Sequence, residues 1–258
     1  MKPQPCTDRV GSHAWSLQTG GRLTAAEKRA MVPAVVAAQM RNVAGRLAMA
    51  AHVNHGRRRA LDLERLTPPT TTLTRVAEAH AEARLGPVIL NHSRRTYAFA
   101  AALGTVDQVE VDHELLYTAA LLHDVALPNG AGPGIDFTVA SAAMARQIAD
   151  DVGLPSTAAE TVASAITLHY SPDVSLADGP VAYLLSAGAA LDVIGLRAWD
   201  LPPSAVAAIV DHHPRGGMKR EFGRVFREEA ARVPRGRALY LYRYAAFGLA
   251  IRTAPFRG

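Results

Sequence analysis

The chain has 258 residues, 49% hydrophobic and 6% aromatic, with a formal net charge of +5 and one cysteine. That length allows one large domain, or a domain with an extension, around a sizeable core. Cys6 alone excludes an intrachain disulfide and a cysteine-built metal site, and the modest arginine-borne charge lacks the aromatic-interleaved pattern of a nucleic-acid binder.

No apolar run is long and charge-free enough to span a bilayer, and Met1 to Arg9 carry no apolar signal segment. A cytoplasmic setting is therefore expected. Strand-type alternation is scarce, so the pattern predicts an all-α protein. Residues up to about Gly20 read as an irregular lead-in. Thr24 and Glu27 form a capping box, which opens a long helix to about His52. Met31, Val35, Ala38, Val43 and Leu47 share one face of it, and Pro33 sits in its first turns. His52 and His55 at its end read as caps favoured by the macrodipole.

The stretch from Arg57 to Thr72 reads as a charged, then Pro- and Thr-rich linker. Residues 1–70 are accordingly assigned to an N-terminal extension packing on the core and 71–258 to the main domain. A short helix is expected over Thr74 to Leu85. Pro87 begins the next, over Val88 to Leu103, with Gly104 as its C′ residue. A helix from Asp112 to Ala126 ends in the Pro- and Gly-rich stretch from Pro128 to Gly134, a candidate active-site rim. Asp136 caps a helix to about Val152, and Ser156 caps one ending near His169. Pro180 opens an Ala-rich helix through Ile194. Asp211 to Gly217 reads as a loop with exposed His212 and His213. Helices over Arg220 to Arg232 and Ala238 to Arg252 close the chain, with Tyr240, Tyr242 and Tyr244 in the last.

One stretch stands apart. Ala119 to Leu127 is apolar except for the adjacent pair His123-Asp124. A carboxylate in such a run needs a partner, because desolvating a charge costs several kcal/mol. The pair reads either as a buried hydrogen-bonded couple or as two ligands of a metal. Neighbours on a helix point about 100° apart, so an ion beside their seam needs partners from other helices. His92, on a largely apolar helix, is one candidate. Asp192 is another, with no charged neighbour before Arg197. His169, at a helix end, is a third and less determined one.

This order of one His, an adjacent His-Asp and a distant Asp resembles the HD superfamily of metal-dependent hydrolases. Asn91 to Tyr97, Leu121 to Asp124, Ile166 to His169, His213 to Lys219 and the ending Ile251 to Phe256 resemble its cyanamide hydratase-like branch. The resemblance covers roughly Thr70 to the C-terminus, and more loosely the region from Trp15. It implies an HD-domain helical bundle with an N-terminal helical extension. It also implies His92, His123, Asp124 and Asp192 as ligands of one divalent ion, zinc or iron. The implied reaction is hydration or hydrolysis of a small molecule at a C–N centre by water activated on that ion. Asp124 would accept a proton, and His169 would orient substrate or shuttle a proton. Phe137-Thr138-Val139-Ala140-Ser141 departs from the family's Phe-Glu-Val-Asp-Gly, and losing both acids argues against cyanamide itself as substrate. Rival readings are a phosphohydrolase with Arg94, Arg95 and Arg215 as anion contacts, an iron-dependent oxygenase, and a degenerate ligand-binding module. The expected partner is a small-molecule substrate, not nucleic acid or membrane. Homo-oligomerisation through the Ala-rich helices stays open.

Overall fold

The computed structural model describes residues 8–62 and 64–256, so Cys6 and most of the stretch read for a signal segment lie outside it. The all-α expectation holds. The helices are α1 (His13–Thr19), α2 (Ala25–Ala30), α3 (Val32–Ala50), α4 (Thr72–Arg84), α5 (Pro87–Asp107), α6 (His113–Leu122) and α7 (Phe137–Asp151). They continue as α8 (Ser156–Leu168), α9 (Pro180–Ile194), α10 (Pro203–His212), α11 (Met218–Arg232), α12 (Arg237–Tyr244) and α13 (Phe247–Arg252). Among the described residues there is no strand, only one antiparallel bridge between Arg22 and Gly236. Among the described residues no helix is long and apolar enough to cross a membrane.

The core is built on α5 against α9. Ala98 to Leu103 of α5 are all buried, as are Leu184, Leu185 and Leu191 of α9. The two helices approach closely because Gly188 lacks a side chain; a Cβ there would overlap the carbonyl oxygen of Thr96. Helices α6 and α8 pack on this pair, and α11 to α13 close one end. Capping sets several boundaries: Asp112 accepts from the amides of Glu114 and Leu115, and Asp136 accepts from that of Thr138.

Some expected boundaries move. The lead-in contains α1, because Ser12 caps it and Trp15 is fully buried on its inner side. The Thr24–Glu27 capping box forms, but its helix stops at Ala30, and α3 restarts with Pro33 in its first turn. Only the start of α3 buries the expected face. Val43 is 57% and Leu47 66% exposed, while Asn42 and Gly45 turn inward. Gly45 sits against the Trp199 ring, where any Cβ would overlap the indole. Gly104 lies inside α5, and Gln108 in the left-handed region (φ 56°) takes the cap. Pro155, not Ser156, precedes α8. Asp211 and His212 close α10, not a loop. The last expected helix divides at Ala246, whose φ is 49°.

Candidate metal centre

The His–Asp pair does not sit inside a helix. Helix α6 ends at Leu122, His123 is its cap residue, and turns follow to Asn129. His123 keeps helical dihedrals (φ −60°, ψ −34°), so the pair still projects as helical neighbours do, and His92 on α5 meets both at their seam. His123 and Asp124 are both buried, as is His92 on α5.

The hydrogen bonds fix how the rings present themselves. His123 Nδ1 lies 2.7 Å from the carbonyl oxygen of Ala120, and His169 Nδ1 lies 2.7 Å from that of Ile166. A carbonyl only accepts, so both Nδ1 atoms donate and both Nε2 atoms carry lone pairs. His92 Nδ1 donates to Asp192 Oδ2 at 2.7 Å, which turns its Nε2 the same way. The Nε2 atoms of His92 and His123 then face each other at 3.2 Å, and each is 3.4 Å from Asp124 Oδ2. Neither oxygen of Asp124 receives a hydrogen bond. Two ring lone pairs and a donor-less carboxylate therefore converge in a buried space.

That arrangement calls for a cation. Around a four-coordinate ion with bonds of 2.0–2.1 Å, donor atoms lie about 3.3–3.4 Å apart, which the three separations match. Among the described residues, His92, His123 and Asp124 are the group of three ligand-type side chains whose donor atoms lie within 4.8 Å of one another. Burial opposes charge on all of them. For His92, burial is outweighed by the two neighbouring carboxylates, Asp192 hydrogen-bonded at Nδ1 and Asp124 facing Nε2, and its pKa rises above the ordinary value. For His123, burial wins and lowers it. Burial would push Asp124 up, but the surrounding imidazoles hold it well below the usual carboxylate range.

Asp192 is elsewhere than expected. It accepts from Arg95 Nε on Oδ1 (2.8 Å), from Arg95 Nη2 on Oδ2 (2.9 Å), from His92, and from Arg215 Nη1. A carboxylate offers about four acceptor positions, and all are taken. Asp192 thus lies behind His92, on the far ring nitrogen, and outside the three converging donors. The physical reason is its charge, which two buried guanidiniums neutralise. Sequence reading missed both arginines in this role. Arg95 is fully buried and Arg215 nearly so, so neither is a solvated surface arginine. The signal was available for Arg95, which follows His92 by three residues and so shares its helical face. Arg94 turns away to Glu78 and Glu82.

His169 joins the site. Its Nε2 lies 3.8 Å from Asp124 Oδ1, its ring centroid lies 4.8 Å from that of His123, and burial lowers its pKa to about 3. His213 does not join; it caps α10 beside Arg95, whose Nη1 donates to its carbonyl oxygen.

At Thr138, where the sequence departs from the expected motif, a buried network stands. Asp136 accepts from the Thr138 hydroxyl (2.7 Å) and from Tyr170. Buried Arg237 donates to Thr138 Oγ1 (3.0 Å) and lies 4.3 Å over the Tyr170 ring, with its Nε 3.8 Å from Asp136 Oδ2. Asp136, a helix cap in sequence, is thus the negative charge opposite Arg237.

The donor cluster opens into a cavity of about 440 Å³. Its floor is His92, His123, Asp124 and His169, and its walls come from α3, α9, α11 and the α12–α13 corner.

Comparison with known proteins agrees with this geometry. A family model described as "HD domain" matches residues 89–242. Two relatives in Saccharomyces cerevisiae, cyanamide hydratase DDI2 and cyanamide hydratase DDI3, are each 27% identical over 190 residues, 71% of this chain and 82% of the relative.

Proposed function

The chain belongs to the HD domain family, and from that premise we propose that it catalyses metal-dependent hydration or hydrolysis of a small molecule at a C–N centre. The observation that carries this reading is the convergence of His92 Nε2, His123 Nε2 and the donor-less Asp124 on one buried point at the floor of a cavity. These three residues would hold one divalent ion, zinc or iron, with Asp192 fixing the tautomer of His92 from behind. A divalent ion held there lowers the pKa of water and polarises an electrophile.

The chain's own groups then have separate tasks. Oδ1 of Asp124 points to His169 and away from the two other imidazoles, so it is placed to take a proton from the attacking water. His169, neutral at pH 7 with its Nδ1 hydrogen committed to Ile166, offers Nε2 as the acceptor that passes that proton on. For a nitrile-type substrate, water oxygen bonds to carbon as one C–N π bond breaks, and the water proton taken by Asp124 and His169 is returned to nitrogen, giving an imidic acid. The remaining hydroxyl hydrogen then moves from oxygen to nitrogen as the second C–N π bond is replaced by C=O, giving the amide.

The C–N centre is preferred to phosphate on two grounds. The yeast relatives are named for cyanamide hydration. The arginines that would receive a phosphate lie outside the cavity lining and face protein carboxylates: Arg95 and, through Nη1, Arg215 on Asp192, Arg94 on Glu78 and Glu82. Within this reading the chain divides into an extension up to residue 70 and a main domain from 71, and α3 of the extension supplies Val35 and Ala38 to the cavity wall. The test is metal analysis of natively purified protein, followed by amide or urea formation from nitriles and cyanamide with and without chelator. Chelator-insensitive turnover, or phosphate release from nucleotides in place of hydration, would overturn the proposal.

A further inference from the structure

The cavity above the donor cluster is much larger than the site needs. A three-heavy-atom nitrile occupies on the order of two water volumes, roughly 60 Å³. The cavity measures about 440 Å³, within the range of pockets that enclose whole drug-sized molecules. Its character changes with depth. The floor is polar, with His92, His123, Asp124 and His169. Above it stand Val35, Val193, Trp199, Phe222, Phe226 and Phe247.

Two features of the sequence make this room. On α9, Ser186, Ala187 and Ala190 present small side chains to the cavity, while Gly188 on the other side lets the helix sit tightly on α5. Across from them, Gly45 seats the Trp199 ring under α3. Most of the buried or half-buried polar groups in the wall are already paired with protein, while Arg41 stands exposed at its edge. Gln39 Nε2 donates to the carbonyl oxygen of Ala245 at 2.7 Å. Arg197 holds Asp107 and Asp200 at 2.8 Å each. Tyr183 donates to Asp107 at 2.7 Å. The upper cavity therefore offers chiefly apolar surface and no free buried charge, with Arg41 at the exposed edge as the cation of its lining that stands outside these pairs.

We infer that the substrate is an amphipathic small molecule, a C–N head group on a bulky aliphatic or aryl body, with the head at His92, His123 and Asp124 and the body between α3, α9 and α11. This rests on the proposed C–N chemistry for the identity of the head and on the cavity alone for the body.

The experiment titrates the metal-loaded, full-length chain with propionitrile, butyronitrile, pentanenitrile and hexanenitrile, then with 4-phenylbutyronitrile. Binding is read by calorimetry and by tryptophan fluorescence. Trp199 lines the cavity, and the second tryptophan, Trp15, lies away from it, so Trp15→Phe leaves one reporter in place. Calorimetry on the unaltered chain keeps the test independent of that variant. Affinity should rise about fourfold for each added methylene, the value of burying one such group. Ala190→Phe, which fills the upper cavity, should flatten that dependence while bound metal stays constant; Ala187→Val serves if the first variant does not fold. A series with no dependence on chain length overturns the inference. 1-Hexanol and hexyl phosphate separate it from the underlying reading. If either binds as tightly as hexanenitrile and no nitrile yields amide, the C–N head group is wrong and the apolar body is upheld.

Discussion

Asp192→Asn is the substitution that most directly separates a residue that positions a ligand from a ligand. In the structure Asp192 accepts four hydrogen bonds: two from Arg95, one from Arg215 and one from His92. Asn keeps the shape, removes the charge and turns one acceptor into a donor. Arg95 and Arg215 then remain buried without their counter-charge. Breaking a buried ion pair from one side costs about 3–5 kcal/mol. That is a large part of the roughly 5–15 kcal/mol that holds a whole domain folded. With a urea dependence of about 2–3 kcal/mol per molar, the unfolding midpoint of chelator-treated protein should fall by about 1–2 M. The effect on metal should be smaller in kind. Losing the partner that orients a ligating histidine weakens binding about 10–100-fold. Competition against a chromophoric chelator measures it. Complete loss of metal binding, with little change in the urea midpoint, would show that Asp192 is itself a ligand and refute its placement behind His92.

Four further outcomes are expected. His123→Ala and Asp124→Ala should each reduce bound metal from about one ion per chain to a trace, since each removes a donor from a three-donor site; elemental analysis that found metal undiminished would place the ion elsewhere. Gly188→Ala should destabilise by about 1–3 kcal/mol in thermal unfolding, because the added methyl meets the Thr96 carbonyl and pries α9 from α5. Metal loading should weaken on acidification from a higher pH than for an ordinary imidazole site. The sign follows from His92: its pKa is raised, so protons compete with the ion above the usual value near 6.5. Equilibrium dialysis showing full loading down to pH 5 would contradict that. Thr138→Glu should destabilise by about 1–3 kcal/mol, since Asp136 already faces Arg237 and a second carboxylate would be buried beside it. Combining it with Asp136→Asn should restore most of the loss; an equally unstable double variant would mean that the charge of Asp136 is not what excludes the acid.

The sequence by itself determined a good deal here, and the reason is that local signals act over a few residues. The Thr24–Glu27 box, the Asp112 and Asp136 caps, Pro87 and Pro180 at helix starts, and the polar pair inside Ala119 to Leu127 all appear where their local chemistry puts them. His92, His123 and Asp124 were joined into one set, with Asp192, by the family resemblance; the apolar run alone said only that Asp124 needs a partner. Only the tertiary structure decided what each polar group is paired with. Asp192 looked like a ligand because no charge lies near it in sequence; Arg95 and Arg215 reach it from 97 and 23 residues away. Arg237 finds Thr138 across 99 residues. The inward face of α3 likewise follows Trp199 and not the helix's own apolar stripe. Burying a charge obliges the chain to supply a partner, but nothing local says from which helix the partner comes. That choice is made by packing, and it separates a carboxylate with four donors from one with none.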